Sequence, residues 1–189
     1  MSVLARHGRI SQLLGLPRLN APLTANIIGV GGGFPADALE CTGRRICVAS
    51  GAGLAPFLSL ACTDDRTRNS RLICSINGSD FEAIEYLIAS KILVAENWLS
   101  VMIFLTPGAE MSGLIAGKTS QWWKEKLAAF QASLTGAIHF ECRRVAKDDL
   151  MSYNANSSDK VLFCGSKSLE WQVKMWMMNE IPVYTTMVE

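Results

Sequence analysis

Histidine is nearly missing from this chain: His7 and His139 are the only two in 189 residues. With so few, no Ser-His-Asp order can be built, and no set of His, Cys, Asp and Glu has the spacing of a metal site. Excess charge of either sign is missing too. Eighteen basic side chains against 17 acidic ones leave a net charge of +1, which supplies no attractive field for nucleic acid or an anionic membrane surface. No nucleic-acid partner is therefore expected. No apolar run reaches the roughly 18 residues that cross a bilayer, so no transmembrane segment is expected either. The stretch from Met1 to Arg9 is polar and lacks the apolar core of a secretory leader. The six cysteines (Cys41, Cys47, Cys62, Cys74, Cys142 and Cys164) never form a C-x-x-C pair. That pattern reads as reduced thiols in a cytoplasmic protein.

What is present is an ordinary globular composition, 49% hydrophobic and 19% charged, long enough for one full domain and part of a second. Short apolar runs alternate with helical periods. "RICVAS" (Arg45 to Ser50), "RLICSI" (Arg71 to Ile76), "LSVMIFLT" (Leu99 to Thr106), "AIHFEC" (Ala137 to Cys142), "KVLFCG" (Lys160 to Gly165) and "IPVYTT" read as strands. Helices are expected over Ala55 to Cys62, Asp80 to Ser90, about Ser120 to Leu134, and Ser168 to Asn179. The third of these puts Trp123, Leu127, Phe130 and Leu134 on one face. Strands apolar on both faces and separated by helices imply an α/β fold: a doubly wound parallel sheet with helices on both faces, from about Cys41 to Glu189. Residues 1–40 differ. Gly15, Pro17 and Pro22, a strand at Thr24 to Gly29, and the turn "GVGGGFP" (Gly29 to Pro35) are too little to close a barrel.

"CVASGAGLAPFLSLAC" (Cys47 to Cys62) poses the functional question, because glycines between a buried strand and a helix can either turn the chain or admit a ligand phosphate. The spacing is not G-x-G-x-x-G: after Gly51 and Gly53, Pro56 stands where the third glycine would be. Proline fits there, since the first helical turn needs no donor. "SGAGLAPFLSL" resembles the G-x-G-x-x-P-F segment of the ferredoxin-NADP reductase superfamily. "VLFCGSKSLEWQV" (Val161 to Val173) is similar to that family's Cys-Gly strand, and the two marks come in the family's order. "HGRISQLL" is similar to its G-x-x-S segment through Gly8 and Ser11, and "GVGGGF" to its G-P-x-G-x-F segment with Val30 in place of proline. The resemblance spans nearly the whole chain and is nearest in texture to ferric-reductase-like and nitrate-reductase-like NAD(P)H-binding domains.

The resemblance implies hydride transfer between NAD(P)H and a flavin. In that family the positions of Gly51, Ala52, Gly53 and Pro56, with those of Gly165 and Ser166, bind the nucleotide. The position of Cys164 lies beside the rings that exchange hydride, and that of Ser11 touches the flavin pyrophosphate. Such chemistry needs two flat rings held together, not a strong acid or nucleophile. The competing reading of Cys164 is an inert buried thiol at the end of a strand. Ligand is expected between Gly51–Pro56 and Cys164–Ser166, whose strand ends should meet at the switch point. A side chain at Gly53 is expected to fill ligand space at a cost to the turn of roughly 1 kcal/mol.

Departures from the family pattern shape the remaining expectations. The R-x-Y-S/T strand that holds flavin has no counterpart, and nothing follows Glu189 as an aromatic lid, so tight FAD binding by a monomer is not expected. Asp80 and Glu82 after the second strand favour NAD(H) over NADP(H). A homodimer or a protein partner completing the barrel remnant of residues 1–40 is expected. Trp171, Met175, Trp176, Met177 and Met178 form a stripe that is either core or a protein contact. Arg143 and Arg144 read as a solvated face or a pair at the start of a helix. Three functions stay open: a trimmed flavoprotein-reductase-like oxidoreductase, a crevice repurposed for non-redox chemistry on a small-molecule ligand (a biosynthetic cyclase or isomerase), and a non-enzymatic regulatory relative.

Overall fold

Strands buried along their whole length need cover on both faces, and this chain has them. Arg45 to Ala49, Arg71 to Cys74 and Val161 to Phe163 are unbroken buried runs. In the computed structural model, which describes residues 33–40, 42–106, 119–132, 134, 138–151, 158–178 and 180–186, they form a six-stranded sheet. The strands are β1 (Arg45–Ser50), β2 (Arg71–Asn77), β3 (Ser100–Thr106), β4 (Ile138–Glu141), β5 (Lys160–Cys164) and β6 (Val183–Thr185). They lie in the order β4-β3-β2-β1-β5-β6, every pair parallel. The sheet is open rather than barrel-shaped.

The helices are α1 (Ala36–Leu39), α2 (Ala55–Thr63), α3 (Phe81–Ala89), α4 (Ser120–Ala132), α5 (Lys147–Met151) and α6 (Lys167–Met177). Parallel neighbours need crossovers, and period-two alternation sorts the strand side chains beneath them. Cys47, Ala49, Leu72, Cys74, Ile103 and Leu105 point to one face, where Phe57 of α2, Phe81 and Ile84 of α3, and Trp123 and Leu127 of α4 cover them. Ile46, Val48, Ile73, Phe104, Val161 and Phe163 point to the other, under Leu150 of α5 and Val173 and Met177 of α6. The sheet is thus doubly wound, as its sequence implies. The chain steps outward from β1 to β4 on the first face, then returns across the second to lay β5 against β1. Strand order reverses between β1 and β5, which is where an open α/β sheet forms a crevice at its carboxyl edge.

Of residues 1–40, only 33–40 are described. Phe34 packs on Phe57 with ring centroids 5.2 Å apart, and Ala38 is fully buried in the α2 side of the core. The expected strand at Thr24 to Gly29, the rest of the barrel remnant and Ser11 lie outside the described residues. Helix α5 has no counterpart in the sequence reading, because five residues are too few to show a helical period.

Phe81 anchors the first face. It is 1% exposed, with the rings of Trp123, Phe130 and Phe140 at 5.3, 5.8 and 6.0 Å, all edge-on. Such arrangements add to plain burial. Phe81→Ala is expected to lower stability by about 3–5 kcal/mol in urea unfolding, and a loss under about 1 kcal/mol would contradict this packing.

Candidate functional site

At the carboxyl end of β1 the chain turns without a gap into a 3-10 turn over Gly51–Leu54 and then α2. Gly51 takes φ +54°, a left-handed conformation that costs glycine little and other residues more. Pro56 sits in the first turn of α2, where a missing donor is harmless. Gly53 is buried for a different reason. A Cβ there would overlap the Cys164 carbonyl and stand 2.9 Å from the Gly165 nitrogen. Reciprocally, a Cβ on Gly165 would overlap the Ser50 Cβ and stand 2.9 Å from the Ser50 nitrogen.

The structure therefore brings Gly51, Gly53 and Pro56 together with Cys164, Gly165 and Ser166 at the reversal of strand order. Ala52 is exposed in the turn, and Gly165 and Ser166 are exposed opposite it. The space beyond the Gly53 Cα is filled by backbone of the same chain. This corrects the expectation that ligand occupies it at a cost of about 1 kcal/mol on substitution: the missing Cβ lets two strand ends touch.

The open space lies beside that contact, on the α5/α6 face. Toward its carboxyl end each strand changes character there: Val48 is followed two positions on by Ser50, Ile73 by Ser75, and Phe104 by Thr106. Ser50 and Ser75 are register partners, and Thr106 on the next strand lies two residues beyond the partner of Ser75, its hydroxyl donating to the Ile76 carbonyl at 2.9 Å. These three hydroxyls floor a cleft of about 190 Å³. Its walls are Arg144 and Val145 before α5, Ser166 and Ser168 at the start of α6, and Gln172 farther along that helix. Ser166 caps α6, its Oγ accepting from the Leu169 amide at 3.4 Å. The amides of that first turn bring partial positive charge to the cleft rim. One cation, several hydroxyls and a helix start suit a phosphate oxygen.

The sequence reading missed Ser50, Ser75, Thr106, Ser168 and Gln172. Alternation along the strands it did find was the available signal. It also treated Arg143 and Arg144 as one pair, which the structure divides. Arg143 grips Asp149 with both ends of its guanidinium, Nη1 to Oδ2 at 2.7 Å and Nη2 to Oδ1 at 2.6 Å. It also lies 4.8 Å from the Phe104 ring centroid. Arg144 faces the cleft. Burial pushes the Asp149 carboxyl up, but the Arg143 fork, the Ala146 N–H at 2.7 Å and the Arg143 charge outweigh it and hold the group below the ordinary carboxylate range.

Cys164 projects to the opposite face from the hydroxyls, half-buried against the α2 side of the core, and accepts from the Thr186 hydroxyl at 3.6 Å. Cys47 and Cys74 are fully buried, and burial pushes their thiols up to about 12. Those two are core atoms with no reach to the crevice. The Met and Trp stripe at α6 is also divided: Met177 enters the core and Trp176 packs partly buried against it, whereas Trp171, Met175 and Met178 are 65%, 46% and 59% exposed. Among the described residues no group of three or more His, Cys, Asp and Glu is placed to hold a metal ion, and no helix is long and apolar enough to cross a membrane.

Two outcomes follow from this geometry. Gly53→Val forces apart the β1 turn and the β5 end, so it should lower stability by about 3 kcal/mol or more in chemical unfolding; a loss near 1 kcal/mol would mean the backbone contact yields easily. Asp149 has its carboxyl lowered by folding, so its contribution exists above the unfolded pKa and disappears as pH falls through the folded value. Asp149→Asn is expected to be about 1–3 kcal/mol less stable at neutral pH, with the gap to the native protein closing on acidification. A gap that widens on acidification would reverse the sign of this argument.

Compared with known proteins, this chain matches no family, no curated protein and no solved structure.

Proposed function

We propose that this chain is an oxidoreductase domain that binds a pyridine dinucleotide, NADH in preference to NADPH, along the carboxyl edge of its sheet for hydride transfer to a flavin. The observation that supports this reading is the convergence of the Gly51–Pro56 turn and the Cys164–Ser166 segment beside a polar cleft lined by Arg144. Arg144 would bind the diphosphate, with the Ser50 and Ser75 hydroxyls completing its hydrogen bonds. The dinucleotide would cross from the cleft toward Cys164 over the exposed Ala52 and Gly165, outside the Gly53 backbone contact. There the half-buried thiol would lie against the nicotinamide and keep water from one side of it. When bound, the dinucleotide supplies the hydride. Asp80 and Glu82, beyond the end of β2, would repel the additional phosphate of NADPH.

The flavin would come from a protein partner or from a second copy of the chain, and the exposed Trp171, Met175 and Met178 of α6 offer an apolar surface for such a contact. A membrane-free assay suffices. NADH titrated against the protein should quench its tryptophan fluorescence saturably, and Arg144→Gln should weaken that binding about tenfold, the size of one charged hydrogen bond. With added flavin as acceptor, Cys164→Ala should slow NADH oxidation more than it weakens binding. Folded protein that binds neither NADH nor NADPH would overturn the reading and turn attention to non-redox chemistry in the same crevice. Trp171→Glu should reduce the mass found by light scattering if α6 is the contact, and an unchanged mass would exclude that surface.

A further inference from the structure

Strand β4 lies at the far edge of the sheet from the cleft, with β3 and β2 between it and β1. Arg144 follows β4 by only a few residues, yet it walls a cleft floored by Ser50 of β1. Something must turn the chain back over the sheet and hold it there. Residues 143–146 do this in a strict alternation. Arg143 is tied down on Phe104 and Asp149, Arg144 faces the cleft, Val145 is buried in the α6 side of the core, and Ala146 donates its N–H to Asp149 Oδ2. Arg143 also closes on its neighbour directly, with Nη1 donating to the Arg144 carbonyl at 3.1 Å. Asp149 itself is 8% exposed and sits on α5, whose Leu150 is anchored in the core. The Arg144 guanidinium has no protein partner among the described residues.

Resting on the dinucleotide reading above, we infer that Asp149 is a positioning residue for nucleotide binding: by gripping Arg143 and the Ala146 amide, it fixes the turn that holds Arg144 over the hydroxyl cleft. A second carboxylate also touches Arg143, more loosely. Glu141 Oε2 lies 3.8 Å from Arg143 Nε at the exposed end of β4. With Asp149 neutralised, Glu141 becomes the remaining anion for Arg143, and the guanidinium is drawn toward the sheet edge. The turn then loses its tether, and Arg144 pays the ordering entropy of the turn each time it meets a phosphate. The bidentate grip needs a fork, so lysine cannot replace Arg143 in it.

A double-mutant cycle on NADH affinity separates this from a purely structural role. Asp149→Asn and Arg143→Lys, each tested at a temperature where circular dichroism shows full folding, should weaken NADH binding about tenfold, comparable to loss of the Arg144 contact. Glu141→Gln should change it less than about twofold. In an Arg144→Gln background, Asp149→Asn should add nothing, because the group it positions is gone. Arg143→Lys supplies the same cycle if Asp149→Asn does not fold. An undiminished effect of Asp149→Asn or Arg143→Lys in the Arg144→Gln background would overturn the inference, as would native affinity in both single variants. Native protein that binds neither NADH nor NADPH would remove the dinucleotide reading and the inference together. Native binding with no effect of the variants would remove the inference alone.

Discussion

The carboxyl edge of the sheet depends on two stretches of backbone lying against each other: the turn that leaves β1 and the loop that leaves β5. Their contact is possible because Gly53 and Gly165 both lack a Cβ, and each would strike the other segment if it had one. From this approach the rest of the edge follows. It sets the spacing of β1 and β5 at the point where strand order reverses. It directs α2 to one face and α6 to the other. It also leaves the Ser50 hydroxyl of β1 half-buried beside the start of α6, where a side chain at position 165 would strike the Ser50 side chain. A glycine-rich turn that looks designed for a ligand here serves the sheet first. Any ligand takes the space that remains beside the contact.

Much of this architecture was legible in the sequence, and the reasons are specific. The strands around Val48, Ile73, Ile103 and Leu162 are apolar on both faces, which only a sheet covered twice can bury. The amphipathic period through Trp123 and Leu127 likewise specifies a helix over that core. The meeting of the β1 and β5 ends follows from topology once the strands are known. What sequence could not separate were features of opposite role at adjacent positions. Arg143 and Arg144 are neighbours of the same type, yet one is clamped to Asp149 and the other faces a cleft. Gly53 reads alike whether its empty side faces a phosphate or a carbonyl. Helix α5 was hidden by its brevity.

Helix α6 shows the same division at larger scale. Its methionines and tryptophans occur in one run, but the helical period sends Val173 and Met177 inward while Trp171, Met175 and Met178 face solvent. One helix thereby contributes its first turn to the cleft, one face to the core and the other to an apolar surface. Thiols are sorted in the same way by position rather than by type. Cys47 and Cys74 are held neutral inside the sheet, whereas Cys164, whose carbonyl is part of the crossing contact, keeps partial access to the edge.

The reversal of strand order also fixes when the crevice can exist during synthesis. Strands β1 to β4 pair through successive local crossovers, so they can assemble as the chain emerges. The neighbour of β1 on its other side is β5, and the amide of Arg44 reaches Asp159 across a separation of 115 residues. Until β5, in the last sixth of the chain, has left the ribosome, the most buried strand of the finished sheet is an open edge, with its hydrogen-bonding groups and the apolar side chains of Ile46 and Val48 uncovered. Closing this long loop is the high-contact-order step of folding. The event that hides the aggregation-prone edge is the same event that creates the crevice, so a nascent chain has neither protection nor a site before β5 docks.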